Sequence, residues 1–126
     1  MPDQHVQIEK VNLSRKFSQF DDHWSPKVAA EINDFCVKLV KIQGEFVWHH
    51  HEAEDELFLV VKGSIVIKLR DRDIYLEQGE FVVIPRGVEH MPLAAEEAHI
   101  VLLEPKSTLN TGNVQSERTL ATLGRI

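Results

Sequence analysis

His49-His50-His51-Glu52-Ala53-Glu54-Asp55-Glu56 decides how this chain folds, together with Gly79-Glu80-Phe81-Val82-Val83-Ile84-Pro85-Arg86-Gly87-Val88-Glu89-His90. The two tracts offer three imidazoles and one carboxylate among short, β-branched apolar runs that read as strands. Residues two apart on a strand point to the same face, their Cβ atoms roughly 6.5 Å apart. His49 and His51 can therefore reach one ion from a single strand, while His50 and Trp48 point the other way. Glu56 follows His51 by five residues, an odd step that simple alternation would turn outward. Ala53-Glu54-Asp55 must therefore form a turn or bulge that resets the phase. A carboxylate then shares a face with Phe58 and Val60, and burial among apolar groups demands a charged partner such as a divalent cation. His90 arrives from the far side, after a Pro85-Arg86-Gly87 turn.

Working outward, apolar runs span Val28–Ile32, Phe35–Ile42, Phe46–His51, Leu57–Val61, Ser64–Leu69, Ile74–Leu76, Phe81–Ile84 and His99–Leu103. Asn33-Asp34, Lys62-Gly63, Asp71-Arg72-Asp73 and Gln78-Gly79 separate several of them as turns do. Eight short strands without a long helix between them indicate an all-β barrel or sandwich. Leu57-Phe58-Leu59-Val60-Val61 is apolar on both faces, so a second subunit or the terminal arms should cover its outer side. Leu13, Phe17 and Phe20 follow a short helical face that Asn12 or Ser14 can cap, and this segment should lie on the outside of the barrel. After Pro105 the apolar pattern stops, leaving a tail or an extended arm at 106–126.

The chain, 126 residues with a net charge of −6, has the size of one domain. An acidic balance argues against nucleic acid, which requires a basic face. No apolar run is long enough for a membrane helix, and Met1–Gln7 lacks the apolar stretch of a signal peptide. Cys36 is the single cysteine, so no internal disulfide forms and a cytoplasmic location is expected.

The two tracts resemble the paired motifs of the cupins, small domains built on a double-stranded β-helix (jelly-roll) barrel. The first motif, Gly-x5-His-x-His-x3 or x4-Glu-x6-Gly, is met with Gly44 one residue closer than usual. The second, Gly-x5-Pro-x-Gly-x2-His-x3-Asn, is matched through His90, with Ala94 at its last position. The spacing from Gly63 to Gly79 is short, as in compact microbial cupins. The resemblance extends over a barrel at about 26–105, with an N-terminal arm at 1–25 and a C-terminal tail at 106–126. It implies His49, His51, Glu56 and His90 as ligands of a divalent transition metal. That donor set suits Fe, Mn, Ni, Cu, Co or Zn, and four ligands on an octahedral ion leave two positions for water, O₂ or a bidentate substrate. Without thiolate ligands, a closed structural zinc site is disfavoured.

Cupins with these ligands include dioxygenases, isomerases, epimerases, decarboxylases and lyases. The resemblance therefore implies a metal-dependent enzyme acting on a small molecule, or a barrel that binds a small ligand or metal without turnover. Phe58, Val60, Ile65, Ile67, Leu69 and Phe81 are the candidate inward set. Their apolar character suits O₂ chemistry or an aromatic substrate over a sugar phosphate. Glu52, Glu54 and Asp55 read as a solvated loop, Cys36 as a buried inert thiol and His99 as a half-buried histidine. Tyr75 and Arg86 are possible substrate contacts, Arg86 more readily serving its turn; His5 and His23 read as incidental. A homodimer is expected from the two-faced apolar strands.

Overall fold

The computed structural model describes residues 8–126, so His5 lies outside the described residues. One short helix, α1 (Leu13–Phe17), precedes eight strands: β1 (Lys27–Ile32), β2 (Phe35–Glu45), β3 (Glu56–Lys62), β4 (Ser64–Leu69), β5 (Asp73–Glu77), β6 (Phe81–Ile84), β7 (His90–Pro105) and β8 (Gly124–Arg125). The result is the all-β architecture expected from the strand pattern, in the jelly-roll form that the cupin resemblance implies. The hydrogen-bonded path runs β5-β4-β7-β2-β1-β8, with β3 joined to β6 and β7. β7 is the spine. Its first half pairs with β4, from Leu69↔His90 to Val66↔Leu93. Its second half lies between β2, with Cys36↔Glu104 in register, and β3, with Leu57↔Leu103.

Two expectations about strands are corrected. Residues 46–51 do not form a strand; only His49 makes a bridge, to His90. The register shifts between Ile42 and Gly44, and Gly44 turns to φ +81°, so β2 ends at Glu45 and the chain leaves the sheet. The last long strand begins at His90 instead of His99, because His90–Leu93 pair with β4 and Leu93 and Ala94 with the end of β2.

Alternation explains the layers. On β2 the even positions Val40 and Ile42 enter a core with Phe58, Val60, Ile65, Ile67, Ile100 and Leu102. Leu39 points outward and packs with Phe17 and Phe20, while Val61 and Val101 lean on the same cluster. The N-terminal segment is thus what covers the outer face of β2 and β3. Asn12 caps α1, its Oδ1 accepting from the Arg15 N–H at 2.9 Å, a contact worth about 1 kcal/mol. Phe17 is buried, adding about 1.5–3 kcal/mol of apolar burial, and it stacks on half-buried His99 at 4.6 Å. Gly63 is required at the β3–β4 turn: φ is +86°, and a Cβ there would meet the Glu97 carbonyl oxygen at 3.2 Å.

The tail after Pro105 is an arm. It crosses the barrel, is fastened to His50, and returns to pair in parallel with β1 through Lys27↔Gly124 and Val28↔Arg125.

Candidate metal centre

Two strand ends and one loop bring the four expected ligands together. Glu56 opens β3 and pairs with Ile84 of β6; His90 opens β7. His49 is held to His90 by two backbone bonds, His49 N–H to His90 O at 3.0 Å and His90 N–H to His49 O at 2.9 Å. The Gly87 N–H donates to His51 O at 2.8 Å, and the Arg86 N–H to Asp55 Oδ1 at 2.8 Å. Arg86 therefore serves the turn before His90. One ligand atom from each of His49, His51, Glu56 and His90 lies within 4.8 Å of the others, and all four residues are buried.

The ring nitrogens are oriented as metal-binding imidazoles require. His49 Nδ1 is 2.9 Å from Val47 O and His90 Nδ1 is 3.0 Å from Val88 O. A carbonyl only accepts, so each Nδ1 carries the proton and each neutral ring presents a lone pair at Nε2. His90 Nε2 then faces Glu56 Oε1 at 3.2 Å, acceptor against acceptor unless a cation or a second proton lies between them. His51 is the sharper case. Both of its ring nitrogens are buried without a hydrogen bond, although Nε2 stands 3.4 Å from Glu56 Oε1. An unsatisfied buried polar atom costs about 1–3 kcal/mol, and an ion beside Nε2 removes one such loss.

Burial, and then the neighbouring His90, push the His49 pKa down to about 4, so its ring is neutral at pH 7. Burial alone would raise the Glu56 carboxyl, but its interactions with Glu104, His51 and His90 hold it well below the usual carboxylate range. Three imidazoles and one carboxylate suit a divalent transition ion.

His50 points away from the cluster, as expected; its Nε2 meets Glu52 Oε1 at 2.8 Å. Trp48 lies beneath the Arg70 guanidinium at 3.8 Å, outside the site. Glu54 accepts from the Ser107 hydroxyl at 2.7 Å, tying the loop to the arm. Cys36 is buried, and His23 is bonded to Glu97 at 2.7 Å.

Beside the cluster lies a cavity of about 40 Å³ whose walls include Trp24, Ile42, Phe46, Phe58, Glu56 and Glu104. Of the expected inward set, only Phe58 lines it. Val60, Ile65 and Ile67 are core residues and Leu69 packs against them. Phe81 is corrected: it is 62% exposed, because Leu59↔Phe81 is an outward pair whereas Phe58 faces inward opposite Val82. Tyr75, on β5, is 69% exposed and does not line this cavity.

Sequence reasoning missed the charged pair inside the barrel. Lys38 Nζ meets Glu104 Oε1 at 2.7 Å, with both side chains almost fully buried. Burial, and then the charge of Glu56, push the Glu104 carboxyl well above its ordinary value despite Lys38. Glu104 Oε2 has no hydrogen-bond partner. The signal was present: Lys38 shares the inward face of Val40 and Ile42, and Glu104 that of Ile100 and Leu102. Trp24 and Asn110, which also line the cavity, fall outside the strand pattern and gave no signal.

Residues 37–104 match the cupin domain family, and the chain belongs to that family. A cupin-2 domain protein of Shewanella frigidimarina NCIMB 400 is 53% identical, with a TM-score of 0.76 over 76% of this chain and 94% of its own. The uncharacterized protein YdbB of Bacillus subtilis (strain 168) is 40% identical over 62 residues, 48% of this chain and 55% of that protein. An acireductone dioxygenase of Sulfurihydrogenibium sp. (strain YO3AOP1) is 38% identical over 53 residues, 39% of this chain and 30% of the dioxygenase.

Proposed function

We propose that His49, His51, Glu56 and His90 hold one divalent transition metal, one of Fe, Mn, Ni, Cu, Co or Zn. We further propose that the protein is a cytoplasmic enzyme of dioxygenase type acting on a small molecule. The observation that carries the metal is buried His51, with neither ring nitrogen hydrogen-bonded, beside a carboxylate and two imidazoles whose Nδ1 protons are already committed. Such an ion, when bound, supplies Lewis-acid polarisation of a substrate oxygen or a place for O₂.

The rest falls to side chains of the chain itself. Trp24, Phe46 and Phe58 form an apolar wall beside the cluster, around a space with room for only a few bodies the size of water or O₂. Trp24 is fixed by its indole N–H, which donates to Gln43 O at 2.9 Å, and by stacking on Phe46 at 4.8 Å. Among the described residues no lysine or arginine lines this cavity, which argues against a sugar phosphate, whose charge calls for cationic donors. Glu104 and Asn110 are polar groups beyond the four ligands that face the same space, and such convergence favours an enzyme over a passive binder. The local similarity to an acireductone dioxygenase supports the O₂-dependent reading over isomerisation.

The test is elemental analysis of tag-free protein purified without chelators. About one equivalent of Fe, Mn, Ni, Cu, Co or Zn per subunit is expected. His51→Ala should lose most of it, whereas His50→Ala should keep it. Equal loss in both variants, or protein that refuses added metal, would overturn the assignment.

A further inference from the structure

A second space lies between the barrel and the C-terminal arm, and among the described residues no histidine lines it. β2 sends Cys36 and Lys38 to the same face as Val40 and Ile42, so the interior continues past the metal cluster. The C-terminal arm roofs this part. Lys106 N–H donates to Asp34 O, Leu120 N–H to Asn110 Oδ1, and Ile126 N–H to Val28 O at 3.1 Å. Between arm and barrel remains a space of about 380 Å³, within the range of small-molecule sites. Asn110 borders both spaces, and the Lys38–Glu104 pair divides them, Glu104 lining one and Lys38 the other.

The chemistry of this second space is one-sided. Among the described residues its lining includes Lys38, Lys106 and Arg125 and no aspartate or glutamate, in a protein whose net charge is −6. The three cations are matched by two carboxylates outside the lining: Glu104 for Lys38, and Glu31 shared by Lys106 at 2.7 Å and Arg125 at 2.8 Å. Lys38 is 2% exposed, and among the described residues its ammonium hydrogen-bonds only Glu104. An ammonium has three N–H donors, so two remain. Thr108 also lines the space; it is 6% exposed, and its Oγ1 is buried with no hydrogen-bond partner among the described residues. Leu109, Leu120, Leu123 and Val28 complete an apolar wall.

We propose that this arm-covered space is a second ligand site, separate from the metal cluster, which takes a small monocarboxylate with an apolar body. One carboxylate oxygen accepts from the Lys38 ammonium and the other from the Thr108 hydroxyl. Lys106 and Arg125 supply the field that draws the anion in, and the leucines hold its hydrocarbon part.

Benzoate and its neutral isostere benzamide test this by calorimetry on the full chain. Benzoate should bind and raise the melting temperature, with benzamide at least about tenfold weaker. Thr108→Val, nearly isosteric, should weaken benzoate about five- to tenfold without lowering the melting temperature of the ligand-free protein. His51→Ala should leave benzoate binding unchanged. Benzoate binding lost in His51→Ala would place the anion on the metal and overturn the proposal. So would equal affinity for benzoate and benzamide, an unaltered Thr108→Val, or no binding of millimolar benzoate.

Discussion

Lys38 and Glu104 make the most demanding test of how the barrel interior is held. Their charged atoms are 2.7 Å apart, and the side chains are 3% and 2% exposed. Removing one partner of such a pair costs about 3–5 kcal/mol, because the other charge stays buried. For 126 residues the entropy of unfolding is about 0.26 kcal/mol/K, so about 4 kcal/mol lowers the melting temperature by about 15 °C. The two single variants should nevertheless differ. Glu104→Leu leaves a buried ammonium with no counter-charge, and should bear nearly the whole loss. Lys38→Met strands a carboxyl already pushed well above its ordinary value by burial and by Glu56, which can take up a proton.

The sign follows from linkage. A carboxyl whose folded value lies above its unfolded value of about 4.3 contributes most below that unfolded value. The contribution is lost as pH rises through the folded value, by about 1.4 kcal/mol per pH unit between the two. Lys38→Met should therefore be less stable at about pH 8 than at about pH 5.5, both above the unfolded value, whereas in Glu104→Leu residue 104 no longer titrates and this contribution is absent. The double variant buries no unpaired charge at this position and should recover to within about 1–2 kcal/mol of the native protein. Urea unfolding of metal-stripped protein, followed by tryptophan fluorescence at the two pH values, reads all four corners of the cycle. Single variants that each cost under about 1 kcal/mol, or a double variant as unstable as the sum of the singles, would refute the reasoning.

Two further outcomes are expected. Gly112→Ala should lift the arm, since its Cβ would lie 2.1 Å from the His50 carbonyl oxygen, a backbone atom that cannot give way, at a φ of +55°. Trypsin should then cleave after Arg118 faster than in the native protein, and an unchanged cleavage rate would show that the arm is not fastened at His50. We also propose a homodimer through the exposed apolar side chains of β6, Phe81 at 62% and Val83 at 47% exposure. Light scattering should give twice the subunit mass for the native protein and one subunit for Phe81→Ser/Val83→Ser; a native monomer would end that idea.

Wherever side-chain period and turn chemistry are local, the sequence could be read. Glu56 is an example. Its odd spacing from His51 demanded a break in phase, and the break is there: the chain leaves the sheet after Glu45 and re-enters it at Glu56. The same local logic placed His50 outside the cluster and α1 on the outer face of the barrel. It failed for 46–51 because Phe46-Val47-Trp48 is a β-prone run that leads straight into the histidines, while the shift after Ile42 and the turn at Gly44 remove the partner strand they would need. It failed for Phe81 because a four-residue strand carries too little pattern to fix which face is inward.

Lys38 and Glu104 mark where local reading ends. Each alone breaks an apolar alternation and looks like an edge position facing water. Only the register Cys36↔Glu104 and Lys38↔Leu102 brings them within reach of one another across 66 residues of chain. Register between distant strands is set by the packing of the whole barrel and not by either segment. The roof over the pair depends on still more distant contacts, since the arm has no apolar period and is held by backbone and side-chain bonds to His50, β1 and Asp34. The metal-ligating residues are legible because two short motifs each carry their own geometry. The polar interior beneath them is written only in pairs, one charge on β2 answered by one on β7, and neither strand alone says that the other is there.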